Sequence, residues 1–152
     1  MSQLNNKRRT LNILLVEDNQ TDIDITLRAF KKAELKNNLF FVSDGEEAVN
    51  YILRKGEFND GEKYPKPDLI LLDINLPKLN GFQVLEKIKA EEKFRMIPVI
   101  MLTSSNNEDD INKCYSLGCA GYIQKPINYE RFLEMINLFN IFWQEICLLP
   151  NE

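Results

Sequence analysis

Five residues able to do chemistry stand just past apolar runs in this chain. They are Glu17 and Asp18 after Leu11–Val16, Asp73 after Leu69–Leu72, Thr103 after Ile97–Leu102, and Lys125 after Ala120–Ile123. Three carboxylates brought to one rim repel each other, so a cation is needed to keep them ionised together. A cluster of few carboxylates, without nitrogen or sulfur ligands, suits Mg²⁺, which takes oxygen ligands in octahedral geometry at roughly 2.1 Å. A hydroxyl and an ammonium beside them offer a donor and a positive charge to the oxygens of a phosphoryl group. Together these are the parts of a phosphoryl-transfer site: a carboxylate nucleophile, a metal ion and an electrophilic clamp. Taken singly each has a plainer reading, with Asp73 opening a turn, Thr103 capping a helix and Lys125 lying on the surface. The phosphoryl reading rests on the ordered set.

The elements that must bring these residues together are written in the hydrophobic pattern. Leu69-Ile70-Leu71-Leu72 is an unbroken aliphatic run, as expected of a strand buried on both faces of a parallel sheet. An ionised Asp73 cannot lie inside such a sheet unpaired, so it belongs at the strand's exit, where the loop opens to solvent. Similar runs predict strands at Leu11–Val16, Leu39–Val42, Ile97–Leu102 and Ala120–Ile123. Between them, helices are predicted at about 21–33, with Ile23, Leu27 and Phe30 on one face, and from the capping-type Asp44-Gly45-Glu46-Glu47 onward. Others begin at Asn80-Gly81 and run over about 107–117 and about 128–148. Strict alternation of strands and helices implies one doubly wound α/β domain, a parallel sheet with helices on both faces. The polar stretch 56–66 is longer than most connections of this kind and reads as a solvated insertion or a recognition loop.

Composition narrows the function. The net charge of −4 argues against direct binding to nucleic acid, since a reader of DNA usually carries a basic stripe. The chain holds no histidine, which excludes a histidine base, a histidine metal ligand or a phosphohistidine carrier within it. Cys114, Cys119 and Cys147 have no metal-type spacing and suit a reducing, cytoplasmic compartment. No run is long and apolar enough for a signal peptide or membrane span. Residues 1–10 read as a flexible leader ahead of a domain at 11–149, with no output domain. No glycine-rich loop follows the first strand, against a nucleotide-binding domain.

The acidic pair Glu17-Asp18, the Asp73…Pro77…Gly81 segment, Thr103-Ser104, and Tyr122 with Lys125-Pro126 resemble the response-regulator receiver domain of two-component signalling, over nearly the whole chain. The resemblance implies a flavodoxin-like sheet of order 2-1-3-4-5 and phosphorylation on Asp73. It implies that Mg²⁺ is bound by Asp18, Asp73 and the backbone carbonyl of Asn75, with Glu17 acting through water. It places Thr103, Ser104 and Lys125 around the phosphoryl group, makes Thr103 and Tyr122 the switch residues, and gives Pro126 a cis peptide bond. The donor would be a sensor histidine kinase or a histidine phosphotransfer protein. The chain would then be a phosphoacceptor switch whose only catalysis is its own phosphorylation and dephosphorylation. The polar loop before the third strand and the aromatic ending Phe139…Phe142-Trp143…Leu148-Leu149-Pro150 look like stand-alone regulators paired with phytochrome-type kinases. Two other readings are a degenerate receiver serving as a scaffold and an aspartyl-phosphatase of the haloacid-dehalogenase type. The scaffold is disfavoured because no member of the set is missing. The phosphatase places its nucleophile on the first strand, with a second acid two residues on, where this chain has Asn75.

The last predicted helix is apolar over too much of its circumference. From Phe132 to Leu149 thirteen of eighteen residues are apolar, and the polar ones form one narrow stripe. A helix packed against a sheet needs an apolar stripe of little more than about 100°. Phe132, Ile136, Phe139, Trp143 and Ile146 can face the sheet, which leaves Met135, Leu138 and Phe142 poorly covered. These three are the expected interface of a symmetric homodimer, with cover by a neighbouring helix or the C-terminal tail as the alternative.

Overall fold

The computed structural model describes residues 10–33 and 36–141. Five parallel strands, β1 (Leu11–Val16), β2 (Asn37–Val42), β3 (Leu69–Leu72), β4 (Val99–Thr103) and β5 (Gly121–Gln124), form one sheet in the order β2-β1-β3-β4-β5. The helices between and after them are α1 (Gln20–Lys32), α2 (Gly45–Ile52), α3 (Gly81–Ala90), α4 (Glu108–Ser116) and α5 (Tyr129–Ile141). This is the doubly wound, flavodoxin-like order expected from the sequence.

Alternation along the strands divides the core in two. Leu14, Val16, Ile70, Leu72, Val99 and Met101 pack with Ala48, Tyr51 and Ile52 of α2, Val84, Leu85 and Ile88 of α3, and Cys114 of α4. Leu11, Ile13, Leu15, Leu69, Leu71 and Leu102 pack with Ile23, Ala29 and Phe30 of α1 and with Phe132 and Ile136 of α5. Each helix begins at a residue whose side chain satisfies the free N–H groups of its first turn. Asn19, Asp44, Asn80 and Asn107 do this for α1 to α4, with a full capping box at Asn80 and Gln83. Asn128 Oδ1 accepts from the Arg131 N–H at 3.1 Å and serves α5 in the same way.

One expectation is refined and one corrected here. The stretch 56–66 is largely exposed, as a solvated insertion would be, but it is anchored to the core. Gly56–Asn59 forms a 3₁₀ turn that buries Phe58 against Tyr51 and Tyr64, at ring-centroid distances of 5.2 and 4.9 Å. The Tyr51 hydroxyl donates to Pro65 O at 2.6 Å, and the Arg54 guanidinium donates to Tyr64 O. Charged residues fill the intervening positions, so the sequence pattern hides these anchors. In α5, Met135 is half-buried against the core rather than left uncovered, because α1 lies alongside and Phe30 meets Phe132 edge to face at 6.1 Å. Leu138 does remain 67% exposed and Ile141 42% exposed. Phe142, Trp143 and Cys147 lie outside the described residues.

Candidate phosphoryl site at the strand ends

The sheet order makes the site. Chain direction across the sheet reverses between β1 and β3, and ligands in open α/β sheets bind beyond the carboxyl ends of the strands at such a point. Register then aligns the chemistry. Val16 pairs with Leu72, so the next residues on the two strands, Glu17 and Asp73, emerge side by side. The Asp73 N–H donates to Val16 O at 3.1 Å and the Glu17 N–H to Val42 O at 3.1 Å, which carries the ladder one residue past the apolar run. On the other flank Thr103 pairs with Gln124, and the Lys125 N–H donates to Thr103 O at 2.8 Å.

Carboxylate oxygens of Glu17, Asp18 and Asp73 all lie within 4.8 Å of one another. Each ionised pair at that separation repels by about 3 kcal/mol for an effective dielectric of about 20. The all-oxygen donor set and its crowding fit a hard divalent cation. Asp18 is exposed and open to a hydrated ion, whereas Glu17 and Asp73 are buried. Asp73 therefore sits at the strand's exit, as expected, but is closed over rather than open to solvent. Its Oδ2 lies 3.1 Å from Lys125 Nζ and its Oδ1 accepts the Asn75 N–H at 3.3 Å. Lys125 Nζ also contacts Glu17 Oε1 and lies 2.8 Å from Asp22 Oδ2. The Lys125–Pro126 bond is cis.

Burial pushes the Glu17 carboxyl up to about 7; the hydrogen bond from Lys125 opposes this, and the charge of Asp73 adds to it. The upward direction follows from a side chain 1% exposed and facing a second carboxylate. Burial alone would lower the Lys125 ammonium, but hydrogen bonds to Asp22 and Glu17 and the charge of Asp73 raise it overall.

Around this cluster Thr103 is buried, and its Oγ1 accepts the Ser105 N–H at 3.4 Å. Ser104 is exposed. The half-buried Tyr122 donates its hydroxyl to Ser105 O at 2.8 Å, tying β5 to the β4–α4 loop. Ser105 Oγ donates in turn to Asp110 of α4 at 2.7 Å. Glycines shape the loop after Asp73. A Cβ on Gly81 would fall 2.2 Å from Asp73 O, and one on Gly45 would fall 2.0 Å from Leu79 O. Two glycines without side chains thus let the 73–80 loop fold back onto the starts of α3 and α2.

The structure brings together Glu17, Asp18, Asp73, Asn75, Thr103 and Lys125 at one end of the sheet. Met135 and Leu138 lie on α5, outside this cluster. Asp22, which shares the Lys125 ammonium, is absent from the sequence reading. Its signal was its place four residues after Asp18, in the first turn of α1, where a helix start turns a side chain back toward the strand ends.

A search of known proteins agrees with this geometry. The family model described as the response regulator receiver domain matches residues 13–137. The chain is 38% identical to response regulator Rcp1 of Synechocystis sp. (strain ATCC 27184 / PCC 6803 / Kazusa), over 91% of this chain and 92% of that protein. A crystal structure of the Mn²⁺-bound form of Rcp1 superposes with a TM-score of 0.79, at 37% identity over 93% of this chain and 99% of that one. The phosphorylated cyanobacterial phytochrome response regulator RcpA superposes with a TM-score of 0.82, at 37% identity, covering 94% and 100% of the two chains. The receiver domain of a Pseudomonas aeruginosa PAO1 sensor histidine kinase, solved with magnesium in its active-site cleft, has a TM-score of 0.65 at 30% identity, covering 87% and 98%. Fold, site and sequence agree: the chain belongs to the response regulator receiver domain family.

Proposed function

We propose that this chain is a phosphoacceptor switch, a single receiver domain over residues 11–149 that accepts a phosphoryl group on Asp73. The observation that carries the reading is the placement of Asp73, held against Lys125 at 3.1 Å and within one cluster with Glu17 and Asp18. Asp18, Asp73 and the Asn75 carbonyl would hold Mg²⁺ directly, with Glu17 acting through a water. Bound there, the ion offsets the negative charge gathered where three carboxylates meet a phosphoryl group. The donor is a phosphohistidine on a sensor kinase or a phosphotransfer protein, since this chain has no histidine. The P–N bond breaks and a P–O bond forms to Asp73; the electron pair returns to the imidazole nitrogen, which takes a proton from water. Thr103, Ser104 and Lys125 receive the phosphoryl oxygens. Because Tyr122 is hydrogen-bonded to the Ser105 carbonyl in the loop just past Thr103, a pull on Thr103 reaches the β4–α4 surface.

The similarity to RcpA, a phytochrome response regulator, supports a kinase of the phytochrome type. The net charge of −4 favours signalling through protein contacts rather than nucleic acid, and the three cysteines without metal-type spacing suit the cytoplasm. Among the described residues no helix is long and apolar enough to cross a membrane. The exposed Leu138, with Met135 beside it, favours a homodimer through α5, to which Phe142 would add. The test is intact mass after incubation with acetyl phosphate, with and without chelator. One phosphoryl group should add in Mg²⁺ and none to Asp73→Asn; an Asp73→Asn protein that still gains one refutes the assignment. Sedimentation should give dimer mass at micromolar protein, and a wild-type monomer with and without phosphorylation would refute the α5 interface.

A further inference from the structure

Lys125 has three ammonium protons and three carboxylate partners: Glu17, Asp73 and Asp22. Two of those partners belong to the cluster that a cation would draw on, and Asp22 does not. If Glu17 were drawn toward a bound cation and Asp73 esterified by phosphate, both would loosen their hold on the ammonium. Of the three carboxylates, Asp22 alone would keep a full negative charge directed at it, while phosphoryl oxygens take the place of Asp73 Oδ2. The backbone that carries Asp22 is itself fixed in the first turn of α1. Its N–H donates to Asn19 Oδ1 at 3.0 Å, and its carbonyl accepts the Thr26 hydroxyl at 2.8 Å. The Asp22 side chain is 17% exposed beside a Lys125 side chain that is 9% exposed, so solvent screens the pair only slightly.

We infer that Asp22 is a positioning residue for phosphoryl transfer: it anchors the Lys125 ammonium beside Asp73 throughout phosphorylation and dephosphorylation. This rests on the phosphoacceptor reading above. A long, flexible lysine stem holds no geometry by itself, and an electrophile displaced by about 1 Å can cost up to ~10²-fold in rate. Glu17 and Asp73 remain as partial anchors without Asp22, so the expected loss is smaller, about tenfold.

The experiment uses the full chain and acetyl phosphate at saturating Mg²⁺ for each variant. The bond from phosphorus to the acetyl oxygen breaks, acetate leaves with the electron pair, and an Asp73 oxygen bonds to phosphorus. In the reverse hydrolysis water attacks phosphorus, Asp73 leaves as carboxylate, and the proton goes to inorganic phosphate. Rates of both steps are measured for wild type, Asp22→Ala, Lys125→Met and the double variant, with Asp22→Asn as the isosteric alternative should the alanine protein fail to fold. Asp22→Ala should slow phosphorylation about tenfold, and Asp22→Asn, which keeps an oxygen acceptor, by less. In the Lys125→Met background Asp22→Ala should change nothing further, because its effect passes through the ammonium. Wild-type rates in both Asp22 variants, or a full Asp22 effect without Lys125, would overturn the proposal while leaving Asp73 as the acceptor. A wild type that takes up no phosphoryl group would instead overturn the phosphoacceptor reading itself.

Discussion

Replacing Gly81 by alanine should damage stability and chemistry together, and the structure gives the size of the effect. The added Cβ would lie 2.2 Å from Asp73 O and 2.6 Å from Ile74 Cα, where ordinary contact begins near 3.4 Å. Subtracting these distances from 3.4 gives shortfalls of 1.2 and 0.8 Å, so something must move by about 1 Å. Both obstacles are backbone, and both belong to the segment that carries Asp73. The start of α3 cannot back away freely, because the Gly81 N–H donates to Ile74 O at 2.8 Å and Val84 and Leu85 are wholly buried. Overpacking of this kind costs about 1–3 kcal/mol, and contact with backbone on two atoms puts this site at the upper end. The helix preference of alanine over glycine returns up to ~1 kcal/mol. A net loss of about 2 kcal/mol lowers the melting temperature by roughly 4–8 °C in a chain of this size. The 1 Å displacement of Asp73 relative to Lys125 should slow phosphorylation by up to ~10²-fold. Circular dichroism melting and intact-mass kinetics with acetyl phosphate measure both quantities. Gly61→Ala is the control, since a Cβ there meets nothing within 4 Å. A Gly81→Ala protein that melts and reacts like Gly61→Ala would refute the reasoning.

Other outcomes follow from separate parts of the molecule. Phe58→Ala empties a buried site between Tyr51 and Tyr64 and should cost about 3–4 kcal/mol, seen in urea unfolding. It should leave the phosphorylation rate unchanged, because this loop leads into the start of β3 and Asp73 lies past its end. A loop without that anchor would show no stability loss. Affinity for Mg²⁺ should weaken as pH falls through about 7, because burial raises Glu17 into that range and its protonated carboxyl is a poorer acceptor. Raising the pH above 7 removes that proton and strengthens binding. Titration calorimetry at several pH values checks the sign, and a flat profile between pH 6 and 8 would contradict it.

The strands and the main site were legible because local pattern and topology coincide. Leu69–Leu72 is apolar at every position since both sheet faces are covered, and the polar residue that ends such a run must fall at the rim. Parallel pairing then brings Glu17, Asp73, Thr103 and Lys125 to one end whatever the details of the helices. Asp22 was not legible by that rule, because it lies inside a helix and joins the site through a single lysine 103 positions away (125 minus 22). The 56–66 loop escaped for a related reason. Phe58 and Tyr64 are isolated apolar residues among charges, and their burial depends on Tyr51 and Arg54, which the sequence places on a different element. The burial of Met135 likewise depends on α1 lying beside α5, a fact of three-dimensional neighbours rather than of helical period.

The most direct measurement locates the phosphoryl group. After reaction with acetyl phosphate and Mg²⁺, borohydride reduces an aspartyl phosphate to homoserine, which peptide mass mapping then places in the sequence. Homoserine should appear at position 73 and at no other acidic residue, and should be lost when Mg²⁺ is chelated. Homoserine at position 18 or 22, or a phosphorylated protein that yields none at 73, would contradict the central claim.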